Sequence, residues 1–278
     1  MDLNWLQSTL YGFLSGLMDI LPVSAQAHRL LLLKLFGVTG KSDLFALMIH
    51  LGVFAGLYFS CNVHIVRMSR ARRLSRVPKK KRKRPLDMKS LMDSRMLGTM
   101  LIPVILGLFC MGYTAAWSGS LLIVSLFLLI NGIILYAPQF FPTGNRDSRN
   151  LSRVEGLLMG LGGAASVLPG VSAVGAAASV ASVCGVERGY GLTMILLMNM
   201  VLNLGYAAMD IYGIFSGGAG QLGFLLVVRY IFTGIMSFAG TLLGVRVMRS
   251  LASGNGYAVL GLYSMGMALF LFVLNLLA

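Results

Sequence analysis

Long apolar runs restrict what this 278-residue chain can fold into. Six runs, each of about 20 residues or more, are long enough to cross a lipid bilayer; they cover about 44–64, 96–117, 119–141, 190–212, 221–247 and 256–278. Charged residues make up 12% of the chain, whereas a soluble domain carries roughly a quarter. Helices satisfy their backbone hydrogen bonds internally, as the bilayer interior demands. The sequence therefore predicts an all-α integral membrane protein that forms a single domain over 1–278.

Two further apolar stretches, about 8–34 and 155–183, are each interrupted by a proline, Pro22 and Pro169. Proline cannot continue the hydrogen-bond ladder of a helix, so each stretch should form two short half-helices around a kink. Interrupted backbone is tolerated at membrane depth only where it is buried in protein or lines a wet cavity. We therefore expect two re-entrant segments in addition to the six transmembrane helices.

The two interrupted segments resemble each other in sequence. LMDILPVSAQAH surrounds Pro22 and AASVLPGVSAVG surrounds Pro169, and in both a Ser-Ala pair follows Leu-Pro at two or three residues. Each segment is followed by three spans, which predicts one unit used twice, over 1–141 and 155–278. An odd number of spans per unit inverts the second copy in the membrane. In such inverted-topology repeats the broken helices meet near the midplane and form the site.

Positive charge is concentrated in one loop. Thirteen of the 23 Lys and Arg residues lie between positions 67 and 95. A run this dense can bind nucleic acid or anionic lipid, or serve as a cytoplasmic anchor. Its position between two spans favours the anchor, in contact with anionic lipid, over nucleic acid. We expect 65–95 to be a basic cytoplasmic loop on the same side as 142–154 and 248–255, with the uncharged 213–220 turn and both termini on the outer side.

Ionisable side chains inside the interrupted segments are the first candidates for function, because charge within a membrane is costly. Asp19 lies beside the first kink, and His28 lies in the half-helix that follows it. Ser24 and Ser172 stand where these second half-helices should begin, as N-caps do. Two half-helix N-termini, with Arg29 nearby, would favour a phosphate group. In the alternative, the serines are caps only, and Asp19 and His28 form a structural pair.

The quoted motifs resemble those of a known family. LMDILPVSAQAH is similar to the first motif of the undecaprenyl-pyrophosphate phosphatase (bacitracin-resistance) family, typically QGLTEFLPISSSGH, and LPGVSAVGA is similar to its second, typically PGxSRSG. LMIHLGVFAGLYF resembles the LHLGT segment that follows the first motif. The resemblance covers nearly the whole chain. It implies a phosphatase that converts undecaprenyl pyrophosphate to the monophosphate on the outer face, recycling the lipid carrier of cell-wall synthesis.

The resemblance also implies roles for individual residues. His28 would be a base or nucleophile, Ser172 a nucleophile or phosphate ligand, and Asp19 a base or the ligand of a divalent metal, Mg²⁺ or Ca²⁺. The expected substrate-binding residues are Ser24, Gln26, Arg29 and Gly170. The expected location is the bacterial inner membrane. Small residues at Gly160, Gly163 and Ala164 permit close helix contact, which leaves a homodimer open beside a role in the re-entrant bend.

The departures from the family pattern fall on the chemistry. Ser15 replaces the first acid of the family's acidic pair, and the serine triplet reads Ser24, Ala25 and Gln26. Ala173 stands where the family has the arginine that follows Ser172, and Val174 replaces the next serine. A guanidinium stabilises the charge of a phosphoryl-transfer transition state, so we expect Arg29 to supply it from the other repeat.

Three functions are open at this point. The first is a phosphatase, and the second is a catalytically weakened homologue that binds or flips undecaprenyl phosphate as a transporter. The third is a non-catalytic scaffold recruited through the basic loop.

Overall fold

The computed structural model describes residues 3–38, 40, 42–217, 223–252 and 256–277. Within these ranges the α-helices are α1 (Trp5–Ile20), α2 (Ala25–Leu35), α3 (Asp43–Ser75), α4 (Met88–Thr114), α5 (Leu121–Tyr136), α6 (Arg153–Ala164), α7 (Ala173–Val183), α8 (Arg188–Gly217), α9 (Phe224–Ala252) and α10 (Gly256–Leu277). The turns predicted at 213–220 and 248–255 lie partly outside the described residues.

Six of these helices are long and apolar enough to cross a membrane. They are α3, α4, α5, α8, α9 and α10, where α4 and α5 each continue into a 3₁₀ turn. The prediction of an all-α, multi-pass membrane protein with six transmembrane helices is thereby confirmed. Two helices extend further than predicted toward the basic segment: α4 begins at Met88, before the predicted 96, and α3 continues to Ser75, beyond the predicted 64. Its arginine-rich extension contains good helix formers and no proline before Pro78.

The two interrupted segments are each broken at the predicted place. The first helix of each pair, α1 or α6, stops before the proline, and α2 and α7 begin after it. The chain turns at one residue of positive φ in each break, Ser24 (61°) and Gly170 (115°). Ser24 Oγ accepts from the N–H of Ala27, and Ser172 Oγ accepts from the N–H of Gly175, so both serines cap the helices that follow them.

Each interrupted segment returns to the end of the bundle at which it started. In the first, Leu3 before α1 and Tyr11 within it cluster with Phe36 after α2 and with Phe45 at the start of α3. In the second, Arg146 bonds both to Glu155 at the start of α6 and to the carbonyl of Cys184 after α7.

These two places are at opposite ends of the molecule. The loop that carries Arg146 is joined to the basic end of α3 and α4, since Ser148 donates to Asp93. The other end of α3 holds Phe45, and its 33 residues extend over about 50 Å. A re-entrant, inverted arrangement requires such a placement; that arrangement and its orientation in a membrane both stay predictions.

Helices of one half of the chain pack against helices of the other half in matching pairs. α1 packs on α9 as α6 packs on α4, while α3 packs on α8 and α5 on α10. Glycines allow the closest crossings: a Cβ on Gly16 would lie 2.0 Å from the carbonyl oxygen of Ser237, and one on Gly160 would lie 2.2 Å from that of Met100. Gly163 likewise faces Met198 of α8. Gly160 and Gly163 are therefore occupied within the chain, which removes the argument for a homodimer that was based on them.

Candidate active site

The two helix breaks contact each other through a buried asparagine of α5. Asn131 is fully buried; its Nδ2 donates to the carbonyl of Pro22 (3.1 Å) and its Oδ1 accepts from the N–H of Ser172 (2.9 Å). Gly175 of α7 also lies close to Pro22, because a Cβ added to Gly175 would lie 2.8 Å from the Cβ of Pro22. The bridge holds the N-termini of α2 and α7 side by side.

A cavity of about 110 Å³ lies at this junction. Its polar wall includes Asp19, Gln26, Arg29, His50, Ser172 and Tyr206. Ala25 and Gln26 belong to the first turn of α2, and Ala173 belongs to the first turn of α7. First-turn N–H groups have no partner within their own helix and carry the positive end of its dipole. The cavity is therefore suited to an anion such as phosphate.

Asp19, at the end of α1, is held by two amides from α8. Its Oδ2 accepts from Nδ2 of Asn199 (3.0 Å) and from Nδ2 of Asn203 (2.9 Å). Its Oδ1 lies 3.7 Å from a terminal nitrogen of Arg29. A buried carboxylate needs such donors to offset the loss of water. Asp19 thus links the first break to α8 and provides a negative partner for Arg29.

Arg29 is the cation of the cavity wall. One terminal nitrogen lies 3.2 Å from Nε2 of His50. Its Nε and its other terminal nitrogen are buried and make no hydrogen bond to the protein. The side-chain oxygen of Gln26 is also buried without a partner. A guanidinium with unsatisfied donors matches the oxygens of a phosphate group in geometry and charge.

The structure brings together four of the seven predicted site residues. Asp19, Gln26, Arg29 and Ser172 line the cavity, whereas Ser24, Gly170 and His28 are not among its lining residues. Ser24 caps α2, and Gly170 packs against the backbone of α5 near Val124. The roles predicted for all seven stay predictions.

His28 has both ring nitrogens engaged within the protein. Nδ1 bonds to the carbonyl oxygen of Ser24 at 2.8 Å, and Nε2 bonds to the hydroxyl of Tyr263 on α10 at 2.8 Å. The pairing with Asp19, which was the alternative to a functional role, is not among the hydrogen bonds and ion pairs of the described residues. To act as a base or nucleophile through Nε2, His28 would first have to break its hydrogen bond to Tyr263.

Sequence reasoning assigned no role in this site to several residues. Asn131, Asn199 and Asn203 are strongly polar side chains inside otherwise apolar spans, and each is buried. His50 of α3 and Asp210 of α8 are joined by a hydrogen bond with 2.7 Å between Nδ1 and Oδ2. The cost of burying polar groups in a membrane was a usable signal for all five.

A larger and mostly apolar cavity adjoins the polar one. It measures about 340 Å³ and shares Gln26, Arg29 and Met111 with its neighbour. Leu30, Leu33, Phe45 and Ile49 contribute apolar walls from α2 and α3. An anionic head group at Arg29 would thus lie next to space suited to a hydrocarbon chain.

The donors present fit a divalent metal poorly. Among the described residues there is no group of three or more His, Cys, Asp and Glu side chains that could hold a metal ion. Asp19 already accepts from two amides, and Asp210 is bonded to His50. An ion at Asp19 would need most of its oxygen ligands from phosphate groups and water, as Mg²⁺ accepts in other proteins. The metal stays a prediction.

Fold and cavity together define a class: a multi-pass helical membrane protein with an anion-suited cavity where two broken helices meet. The chain belongs to the family described as bacitracin resistance protein BacA, whose model matches residues 8–270. It is similar to an undecaprenyl-diphosphatase of Methanobrevibacter smithii, 28% identical over 72% of this chain and 74% of the relative. A second undecaprenyl-diphosphatase, of Desulforapulum autotrophicum, is 26% identical over 90% of this chain and 91% of its own length. One of Methanococcus maripaludis is 23% identical over 93% and 95%.

Proposed function

We propose that this protein is a membrane phosphatase that hydrolyses undecaprenyl pyrophosphate to the monophosphate. The observation that carries the proposal is the cavity in which the buried, unsatisfied donors of Arg29 lie beside the N-termini of α2 and α7. Membership of the family, and relatives named undecaprenyl-diphosphatase, support the choice of substrate.

The two adjoining cavities suggest how such a lipid binds. The pyrophosphate occupies the polar cavity, where it receives hydrogen bonds from Arg29 and from the first turns of α2 and α7. The start of the polyprenyl chain lies in the apolar cavity between Leu30, Leu33 and Phe45. Because Arg29 and Gln26 line both cavities, they mark the boundary between head group and chain.

Arg29 supplies the charge that the family places after the second-motif serine. In this chain that position is Ala173, which lines the same cavity as Arg29. The transition state of phosphoryl transfer carries negative charge on its equatorial oxygens, and a guanidinium stabilises it there. The carboxylate of Asp19 orients Arg29, with 3.7 Å between Oδ1 and a terminal nitrogen of the guanidinium. Ser172 contributes a hydroxyl to the cavity wall as a phosphate ligand or nucleophile.

The orientation follows from the charge distribution. The basic segment 67–95 and the loop 142–154 meet at one end of the bundle, and we assign this end to the cytoplasm of a bacterial inner membrane, in contact with anionic lipid. The apolar cavity, near the other end of α3, then faces the outer side together with both termini. A cysteine introduced at Ser75 should react with an impermeant maleimide only after cells are opened; labelling of intact cells would reverse the assignment.

The experiment is phosphate release from undecaprenyl pyrophosphate by purified protein in detergent, with EDTA, Mg²⁺ or Ca²⁺. We expect turnover by the native protein and a loss of about 10³-fold or more in Arg29→Gln, because a phosphoryl-transfer arginine contributes that much. Lys34→Gln is the matched control, since Lys34 is an exposed cation on the same helix. Native protein that binds the lipid but releases no phosphate would contradict the proposal, and Arg29→Gln at native rate would remove Arg29 from it.

A further inference from the structure

His50 of α3 faces the polar cavity with a carboxylate directly behind its ring. Its Nδ1 lies 2.7 Å from Oδ2 of Asp210, and its Nε2 lies 3.2 Å from a terminal nitrogen of Arg29. The side chains of His50 and Asp210 are 12% and 15% exposed. Both histidine nitrogens therefore have a defined neighbour, and one of these neighbours is the proposed phosphate ligand.

The identity of these neighbours fixes where the ring proton lies. A guanidinium has N–H donors and no acceptor, so it donates and Nε2 must accept. Nδ1 then carries the proton and donates it to Asp210. The imidazole is left neutral with a lone pair directed at Arg29. A histidine held in one tautomer by a carboxylate, with its other nitrogen directed at the reacting group, is the arrangement of a general base.

We propose that His50 is the general base of the hydrolysis and that Asp210 is its positioning residue. This inference rests on the function proposed above. Binding of the anion redirects the donors of Arg29 to phosphate oxygens, which frees Nε2 for a water molecule. As the water oxygen forms its bond to the terminal phosphorus, its proton passes to Nε2. The bond from that phosphorus to the bridging oxygen breaks, and its electron pair leaves with the lipid monophosphate. The histidine then returns its proton to the released phosphate or to solvent.

The surroundings of His50 are compatible with this role. Arg29 from α2 and Asp210 from α8 are the charged groups in contact with the ring, and Asp19 from α1 lies beyond Arg29. The ring of Tyr206 from α8 lies 5.3 Å away between centroids. Asp210 accepts the hydrogen bond from Nδ1 and orients the ring, whereas Arg29 occupies Nε2 until the anion draws the guanidinium donors to itself. Substrate binding thus prepares the base.

His28, the histidine of the first family motif, is the rival for this role. Its Nε2 already bonds to Tyr263, and His28 is not among the residues that line the cavity. The structure therefore separates the two histidines by what their Nε2 atoms face: a tyrosine hydroxyl for His28, and the proposed phosphate ligand for His50.

The test is the pH profile of phosphate release between about pH 5 and 9, with kcat and KM measured separately. The variants are His50→Gln, Asp210→Asn and His28→Gln. His64→Gln is the matched control, because His64 lies on α3 near its basic end and lines a different cavity. The glutamine at position 50 can still accept from Arg29, so the variant should keep its fold and its KM.

We expect His50→Gln to lower kcat by about 10²–10⁴-fold, the usual contribution of a general base, and to abolish the acid limb of the profile. Asp210→Asn should lower kcat less and leave KM near the native value, since Asp210 positions the ring without touching the reacting atoms. His64→Gln should behave as the native protein. A native kcat and acid limb in His50→Gln, or loss of that limb in His28→Gln instead, would overturn the assignment while leaving the phosphatase in place. Native protein without phosphate release would overturn the proposed function itself and this step with it.

Discussion

The two helix breaks share a backbone plan but differ in charge. Both helices that enter a break begin with a capping box, Asn4 with Gln7 for α1 and Ser152 with Glu155 for α6. Both helices that leave it begin at a serine cap. Around the first break, however, lie Asp19 and Arg29. Around the second, the cavity wall is made of the uncharged residues Ser166, Val171, Ser172 and Ala173.

This difference shows which part of the site each half contributes. The second break contributes a helix N-terminus and the hydroxyls of Ser166 and Ser172, which suit an anion but carry no charge. The first break adds a charged pair, which phosphoryl transfer needs. The duplicated unit thus provides the backbone framework twice, whereas the charged pair of Asp19 and Arg29 occurs in the first copy alone.

Moving the cation from one break to the other tests this division most strongly. Arg29→Ala should lower phosphate release by about 10³-fold or more, for the reason given for Arg29→Gln. Ala173→Arg in that background should restore part of the rate, because residue 173 lines the same cavity and the family places its arginine there. The measurement is kcat/KM of both variants beside the single variant Ala173→Arg.

If the double variant is no faster than Arg29→Ala, the two breaks are not interchangeable carriers of charge. In that case the position of Arg29 beside Asp19 and His50 matters more than the presence of a guanidinium in the cavity.

Separating the breaks from each other should have the next largest effect. Asn131→Leu would leave the carbonyl of Pro22 and the N–H of Ser172 buried without a partner. We expect a loss of about 2–5 kcal/mol in the free energy of unfolding, seen as a lower melting temperature in detergent. Phosphate release should fall as well, since the N-termini of α2 and α7 lose their common anchor.

Ser125→Ala is the control for this change. Ser125 is a buried polar residue of the same helix, but its hydroxyl bonds within α5, to the carbonyl of Leu122. Equal melting temperatures for Asn131→Leu and Ser125→Ala would mean that the bridge contributes nothing to holding the breaks together.

The same residues show how far the sequence could predict this site. Proline and the length of apolar runs fixed the breaks and the spans, because both act locally along the chain. The position of His28 could not be predicted, since Tyr263 is 235 residues away and meets it only through helix packing. Asn131 and the pair of His50 and Asp210 could be noticed as polar residues in apolar spans. Their partners depend on which helices pack together and at what rotation.

The residues of positive φ in the two breaks should differ in how a substitution changes stability. At Gly170, with φ of 115°, a Cβ would lie 2.6 Å from the carbonyl oxygen of Val124 and 2.8 Å from the nitrogen of Leu128, both backbone atoms of α5. Gly170→Ala should therefore cost about 1–3 kcal/mol of unfolding free energy through strain. Ser24 has a φ of 61°, where glycine is unstrained. In Ser24→Gly, the loss of the serine cap costs a few tenths of a kcal/mol, whereas the glycine removes the strain of the positive φ. The two effects oppose each other, so the melting temperature of this variant should stay close to that of the native protein. A larger loss for Ser24→Gly than for Gly170→Ala would show that the Ser24 side chain contributes more to stability than a cap of α2 does.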